Sequence, residues 1–174
     1  MIELGKFQIK PLYFALASFL IAIGSLSAAW IAQYGFDLMP CKLCLMQRLP
    51  YWGIAGLSLA AAALRTRRGP YALTLVLISA TYGIGAAIAA FHSGVERHWW
   101  TYESDCTRNQ AWDPSMPTDQ FIDAIRSAPV VPCDEIPWAL FGLSFANYNT
   151  IFSAFMTVFV LYVAVKVWRG RKTV

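Results

Sequence analysis

Charged residues are missing from four long stretches of this 174-residue chain, and that absence constrains its fold more than any other feature. Pro11 to Phe36, Leu49 to Leu64, Gly69 to Val95 and Ile136 to Val165 contain no Asp, Glu, Lys or Arg. A helix needs about 20 apolar residues to cross the hydrocarbon of a bilayer. The first, third and fourth stretches exceed that length. The second has 16 residues and reaches it only by including Leu43 to Gln47, with Arg48 near the interface. At 57% hydrophobic and 14% charged residues, the chain is too apolar for an ordinary soluble domain. The expected fold is an all-α membrane protein, a four-transmembrane-helix bundle with spans at about 12–34, 45–64, 71–91 and 143–165. It forms one integral domain over residues 1–174, with a long loop at about 92–142. Lys6 and Lys10 ahead of the first span suggest a signal peptide, but the apolar run is too long and lacks a convincing cleavage site before Cys41.

Basic residues set the expected orientation, because they concentrate in cytoplasmic loops. One side of the bundle holds Lys6, Lys10, Arg65, Arg67, Arg68, Lys166, Arg169, Arg171 and Lys172 against the single acid Glu3. The other holds five basic and nine acidic residues. Both termini are expected in the cytoplasm and all four cysteines outside it. The net charge of +4 reflects this asymmetry and gives no reason to expect a nucleic-acid partner.

The far-side loop from Glu96 to Glu135 carries eight acidic residues, three basic ones and four prolines, which cannot enter hydrocarbon. It contains one short helical pattern, Thr118 to Ser127, with Thr118 as N-cap and Phe121, Ile122 and Ile125 on one face. That face rests either on the membrane surface or on the loop itself. Trp99, Trp100 and Trp138 lie at apolar–polar borders and read first as interfacial anchors, with cofactor contact as the alternative. Pro50 either occupies the first turn of the second helix, where it costs little, or lies inside the helix and kinks it.

Chemistry is concentrated in the cysteines. Cys41 and Cys44 form a Cys-x-x-Cys pair where the first apolar segment gives way to the second. This spacing commonly lowers a thiol pKa, and a helix N-terminus lowers it further, which favours Cys44 as thiolate. Cys106 and Cys133 lie in the polar loop, and four cysteines allow three pairings. Two stapling disulfides suit Cys106 and Cys133, since closing a loop of 26 residues removes roughly 3–4 kcal/mol of unfolded-state entropy. They suit Cys41 and Cys44 poorly, because so short a loop constrains little. A zinc site built from all four cysteines is weaker, for only the first pair has zinc-knuckle spacing, and no metal is expected. Arg48, four residues after Cys44, would share its helical face and could favour a thiolate or polarise a bound carbonyl. Its bland alternative is snorkelling to lipid phosphate. His92, at the end of the third span, either donates to the same acceptor, relays protons or is structural.

These residues together resemble the DsbB family of disulfide bond formation proteins over nearly the whole chain. The resemblance rests on four spans, Pro40-Cys41-x-x-Cys44 followed by Arg48, and the loop with Cys106 and Cys133. The runs Phe91-His92-Ser93-Gly94-Val95-Glu96 and Val131-Pro132-Cys133-Asp134-Glu135-Ile136-Pro137-Trp138 add to it. It implies a bacterial inner-membrane oxidoreductase that reoxidises a DsbA-like thioredoxin-fold protein and delivers electrons to a membrane quinone, ubiquinone or menaquinone. It further implies that Cys106 receives the partner's attack with Cys133 as its mate. Cys41 and Cys44 would pass electrons on, with Arg48 and His92 at the quinone. The competing class is a four-helix scaffold or assembly factor whose disulfides only staple its loops.

Overall fold

The computed structural model describes residues 2–4, 7–102, 117 and 132–170. Cys106 and the expected loop helix Thr118 to Ser127 lie outside these described residues.

Long apolar helices dominate, as their composition requires. Helix α1 runs Pro11–Gly35 with proline in its first turn, where the missing N–H had no partner. Helix α4 runs Arg68–Glu96 and α5 runs Phe145–Arg169. These three are long and apolar enough to cross a membrane. The expected second span differs. Lys42–Met46 form a separate short helix, α2, and α3 begins at Arg48 and ends at Leu64. Pro50 gives the reason: it has no N–H to donate, and its ring would clash with the carbonyl of Met46 in a continuous helix. The chain therefore breaks at Gln47, and Pro50 falls in the first turn of α3. At 17 residues α3 is about 26 Å long, short of the roughly 30 Å hydrocarbon core.

Two other boundaries moved. Helix α4 extends beyond the expected end at 91, so His92 and Glu96 are helical, one turn apart on one face. Helix α5 starts at Phe145 because the chain ahead of it forms a hairpin, β3 (Ala139–Leu140) and β4 (Leu143–Ser144). Its two-residue turn puts Phe141 and Gly142 at φ of 51° and 77°, the positive values a tight hairpin demands. Ser144 then caps α5 by accepting from the Asn147 backbone N–H at 3.2 Å. A second hairpin, β1 (Ile2–Leu4) with β2 (Phe7–Ile9), precedes α1. Neither hairpin was expected.

Helix α4 packs most extensively on α5, and α3 lies against both α1 and α4. Phe14, Leu26, Tyr51, Ile54, Leu75, Ile78, Tyr82, Val160 and Val163 fill the shared core. Small residues at the seams allow close approach, as expected where lipid offers no hydrophobic drive between helices. A Cβ added at Gly85 would stand 3.4 Å from Pro50 Cβ. Ser79 Oγ donates to the Thr157 carbonyl at 2.8 Å, and Tyr71 OH to that of Pro11 at 3.0 Å. Leu20, Leu59, Leu73, Ile84, Phe155 and Val158 point outward, which suits a lipid environment.

Candidate active site

Helix α2 is a single turn that brings Cys41 and Cys44 together. Cys41 is its N-cap, and its sulfur accepts from the Cys44 backbone N–H at 3.3 Å. That is ordinary capping geometry with a thiol in place of a hydroxyl, and it leaves the two sulfurs 2.9 Å apart. Both thiols are free, Cys41 buried and Cys44 half-buried. The hydrogen bond between them pulls them in opposite directions. It holds Cys44 below the ordinary thiol range, burial opposing. It pushes Cys41 up to about 12, with burial adding to the rise. Of this reduced pair, Cys44 is the more acidic thiol and Cys41 the more reluctant to ionise. The favoured thiolate is the expected one, but its main cause is the neighbouring thiol.

Cys133, 89 positions after Cys44, is buried against Cys41, Leu43 and Val95. Burial pushes its thiol up to about 11, against the backbone amide groups of Leu43 and Lys42, while Cys41 adds to the rise. Three of the four expected cysteines therefore converge on one side of α2. The fourth, Cys106, lies outside the described residues.

Arg48 is held against α1. Its Nη1 donates to Gln33 Oε1 at 2.8 Å and its Nη2 to the Ala29 carbonyl at 3.4 Å, both on α1. The break at Gln47 removes the continuous helical turn expected between Cys44 and Arg48, yet both line the same cavity of ≈ 440 Å³. Its walls include Leu38, Pro137, Trp138 and Phe152. Trp138, also stacked on Phe145 with centroids 4.5 Å apart, lines this cavity. Trp100 lies against Gly94, stacked on Phe91 and bonded to its carbonyl.

His92 is turned toward the thiols. Its Nε2 lies 3.6 Å from Cys41 Sγ and 3.9 Å from Glu96 Oε1, and its Nδ1 lies 2.7 Å from Gln47 Nε2. The donor atoms of Cys41, Cys44 and His92 fall within 4.8 Å of one another, a spacing at which a metal could be held. Sequence reasoning missed Gln47, Glu96, Ser144 and Asn149. Glu96 is buried and accepts from the Ser144 hydroxyl. Its place four residues after His92 was a usable signal; Asn149 offered none.

Comparison with known proteins agrees with this architecture. The family model for Disulfide bond formation protein DsbB matches residues 11–163. The chain is 31% identical over 144 residues to Disulfide bond formation protein B of Actinobacillus pleuropneumoniae, covering 81% of this chain and 79% of that one. It is 29% identical over 163 residues to the protein of the same name in Haemophilus influenzae, covering 88% of each. Uncharacterized protein RP370 of Rickettsia prowazekii is 29% identical over 140 residues, 80% of each chain. With its apolar helices, its paired thiols and a family match over most of its length, the chain belongs to the DsbB family of membrane proteins for disulfide bond formation.

Proposed function

We propose that the protein is a membrane thiol:quinone oxidoreductase that reoxidises a DsbA-type dithiol oxidase on the periplasmic face of a bacterial inner membrane. In this reading α3 is the fourth span, α2 lies at the periplasmic interface and both termini are cytoplasmic. One juxtaposition carries it: Cys133 is buried against Cys41, while Cys44, hydrogen-bonded to Cys41, lines an apolar cavity beside Arg48.

The cavity lies in the size range of small-molecule sites, and its mixture of apolar walls with a few convergent donors suits a quinone. Arg48 would hold the polar end, with His92 in the cavity wall beside it. A bound quinone supplies an acceptor for two electrons and two protons.

The chain's own sulfurs do the rest. A partner thiolate attacks Cys106 in the Cys106–Cys133 disulfide, and Cys133 leaves with the electron pair. Cys133 attacks Cys41 in the Cys41–Cys44 disulfide, forming Cys41–Cys133 and releasing Cys44. The partner's second thiol frees Cys106, which attacks Cys133 and releases Cys41. The partner has then gained a disulfide, and its two electrons reside on Cys41 and Cys44.

The decisive experiment gives purified protein a reduced DsbA-type partner and a quinone. Quinone reduction is expected, and Cys133→Ala should accumulate a Cys106–partner mixed disulfide on non-reducing gels. An adduct mapping to Cys41 or Cys44 reverses the relay. A Cys44→Ser protein with full specific activity returns the scaffold reading.

A further inference from the structure

Polar side chains buried between apolar helices must satisfy one another, and around His92 they do so in one direction. The hydroxyls of Tyr51 and Ser153 both donate to Asn149 Oδ1, at 2.6 and 3.0 Å. One amide oxygen has lone pairs for both. The opposite amide orientation would leave the Tyr51 proton only the 3.4 Å approach to Ser153 Oγ. Asn149 Nδ2 therefore faces Gln47 and donates to its Oε1 at 2.6 Å. With the oxygen of Gln47 so engaged, its Nε2 is the atom that lies 2.7 Å from His92 Nδ1. An amide nitrogen only donates, so Nδ1 accepts and is bare. A neutral ring then carries its proton on Nε2, the nitrogen 3.6 Å from Cys41 Sγ.

We propose that Tyr51, Asn149 and Gln47 form a hydrogen-bond wire that holds His92 as the Nε2–H tautomer, so that the ring presents a proton to Cys41. Gln47 and Asn149 are positioning residues that act through His92. The consequence for exchange rests on the relay proposed above. When Cys41 is released from Cys133, the N–H stabilises the departing thiolate. Glu96 Oε1, at 3.9 Å, and the Cys133 backbone also lie within reach of the ring. The tautomer itself does not depend on the relay, so a wrong relay and a wrong tautomer give separate results.

The wire has a second effect. Cys41, Cys44 and His92 have the chemistry and convergence of a zinc-binding set. A metal on Nε2 needs a lone pair there, with the Nδ1 proton given to an acceptor. Here the partner of Nδ1 is a donor, so a thiophilic cation would have to break the wire. The redox dithiol is thereby kept from metal capture.

The test uses the full-length, reduced protein in detergent micelles, labelled with 15N-histidine. The chain has two histidines, and His98→Asn, suited to the φ of 57° at that position, leaves one signal. Long-range 1H–15N spectra of the neutral ring should show Nε2 protonated and Nδ1 bare. Gln47→Glu makes the partner of Nδ1 an acceptor and should move the proton to Nδ1. It should also bind zinc alone, measured against a chelating dye, at least about tenfold more tightly than the parent, the lower end of effects of such supporting partners. Should Gln47→Glu fail to fold, Gln47→Met is expected to show both nitrogens averaging between tautomers. Nδ1–H in the parent, a tautomer unmoved by these substitutions, or equal zinc affinity in parent and Gln47→Glu each overturns the proposal.

Discussion

Ser144 joins the end of α4 to the start of α5, and its removal should cost more than a typical substitution. The residue is 1% exposed. Its hydroxyl donates to Glu96 Oε2 at the end of α4 and accepts from the Asn147 backbone N–H as the cap of α5. Asn147 Nδ2 donates to the same oxygen at 2.6 Å. Losing an N-cap hydroxyl costs about 1 kcal/mol. Losing a hydrogen bond to a buried carboxylate costs about 1.5–3 kcal/mol. Ser144→Ala should therefore destabilise the protein by about 2.5–4 kcal/mol. Ser144→Thr, which keeps the hydroxyl, should retain most of the stability. The assay is denaturant or thermal unfolding of the purified protein in detergent, run as a double-mutant cycle with Glu96→Gln. A coupling of about 1 kcal/mol or more is expected between the two positions. A loss below about 1 kcal/mol in Ser144→Ala, or no coupling with Glu96→Gln, refutes the reasoning.

Other substitutions and conditions have defined outcomes. In the reduced protein, alkylation of Cys44 should persist below the pH at which ordinary thiols become unreactive, because its thiolate is favoured. Cys41 should stay unreactive until the pH approaches about 12. Equal pH profiles for the two would contradict the shared hydrogen bond. Arg48→Ala should raise the KM for quinone roughly tenfold, the loss of about 1.4 kcal/mol of charged hydrogen bonding, with the KM for the partner unchanged. A changed partner KM at constant quinone KM would take Arg48 out of the acceptor site. Gly94→Ala should displace the Trp100 indole, because a Cβ there would lie 2.0 Å from the nearest ring carbon, and should break the bond from Trp100 Nε1 to the Phe91 carbonyl. Better helix propensity offsets about 1 kcal/mol of the damage, so the expected sign is a shifted tryptophan emission with a net loss of about 1–2 kcal/mol.

Much of the fold was legible because hydrocarbon imposes a simple rule on long apolar runs. Pro11 and Gly35 bound α1 within a residue of the reading from charge alone. The rule fails where a short-range clash decides, as at Pro50, which separates α2 from α3 within what was expected to be a single span. It also fails at Leu143 and Ser144, apolar enough for a span but used in a hairpin whose turn needs positive φ at Phe141. The dithiol was legible because both cysteines lie on one turn. The burial of Cys133 beside Cys41 was not, since no local pattern encodes a meeting of residues 92 positions apart. The same holds for Asn149 and Gln47, 102 positions apart and joined through the bundle core. His92 could be singled out as a polar residue at a span end, but its orientation toward sulfur depends on Gln47 and on that distant asparagine.

The length of α4 has a consequence for where the chemistry can occur. Its 29 residues extend about 43 Å, roughly 13 Å more than the hydrocarbon of an average bilayer. The surplus is carried by tilt or by protrusion, and His92 and Glu96 occupy the last turn or so of the helix. The depth of the imidazole is therefore set by mismatch between helix and lipid. In a thicker membrane the same helix stands straighter and the thiols are drawn toward the acyl chains, away from any soluble protein. In a thinner one they rise into water, away from a lipid-borne acceptor. Under the proposed relay, reconstitution in lipids of graded chain length is expected to give turnover that passes through an optimum.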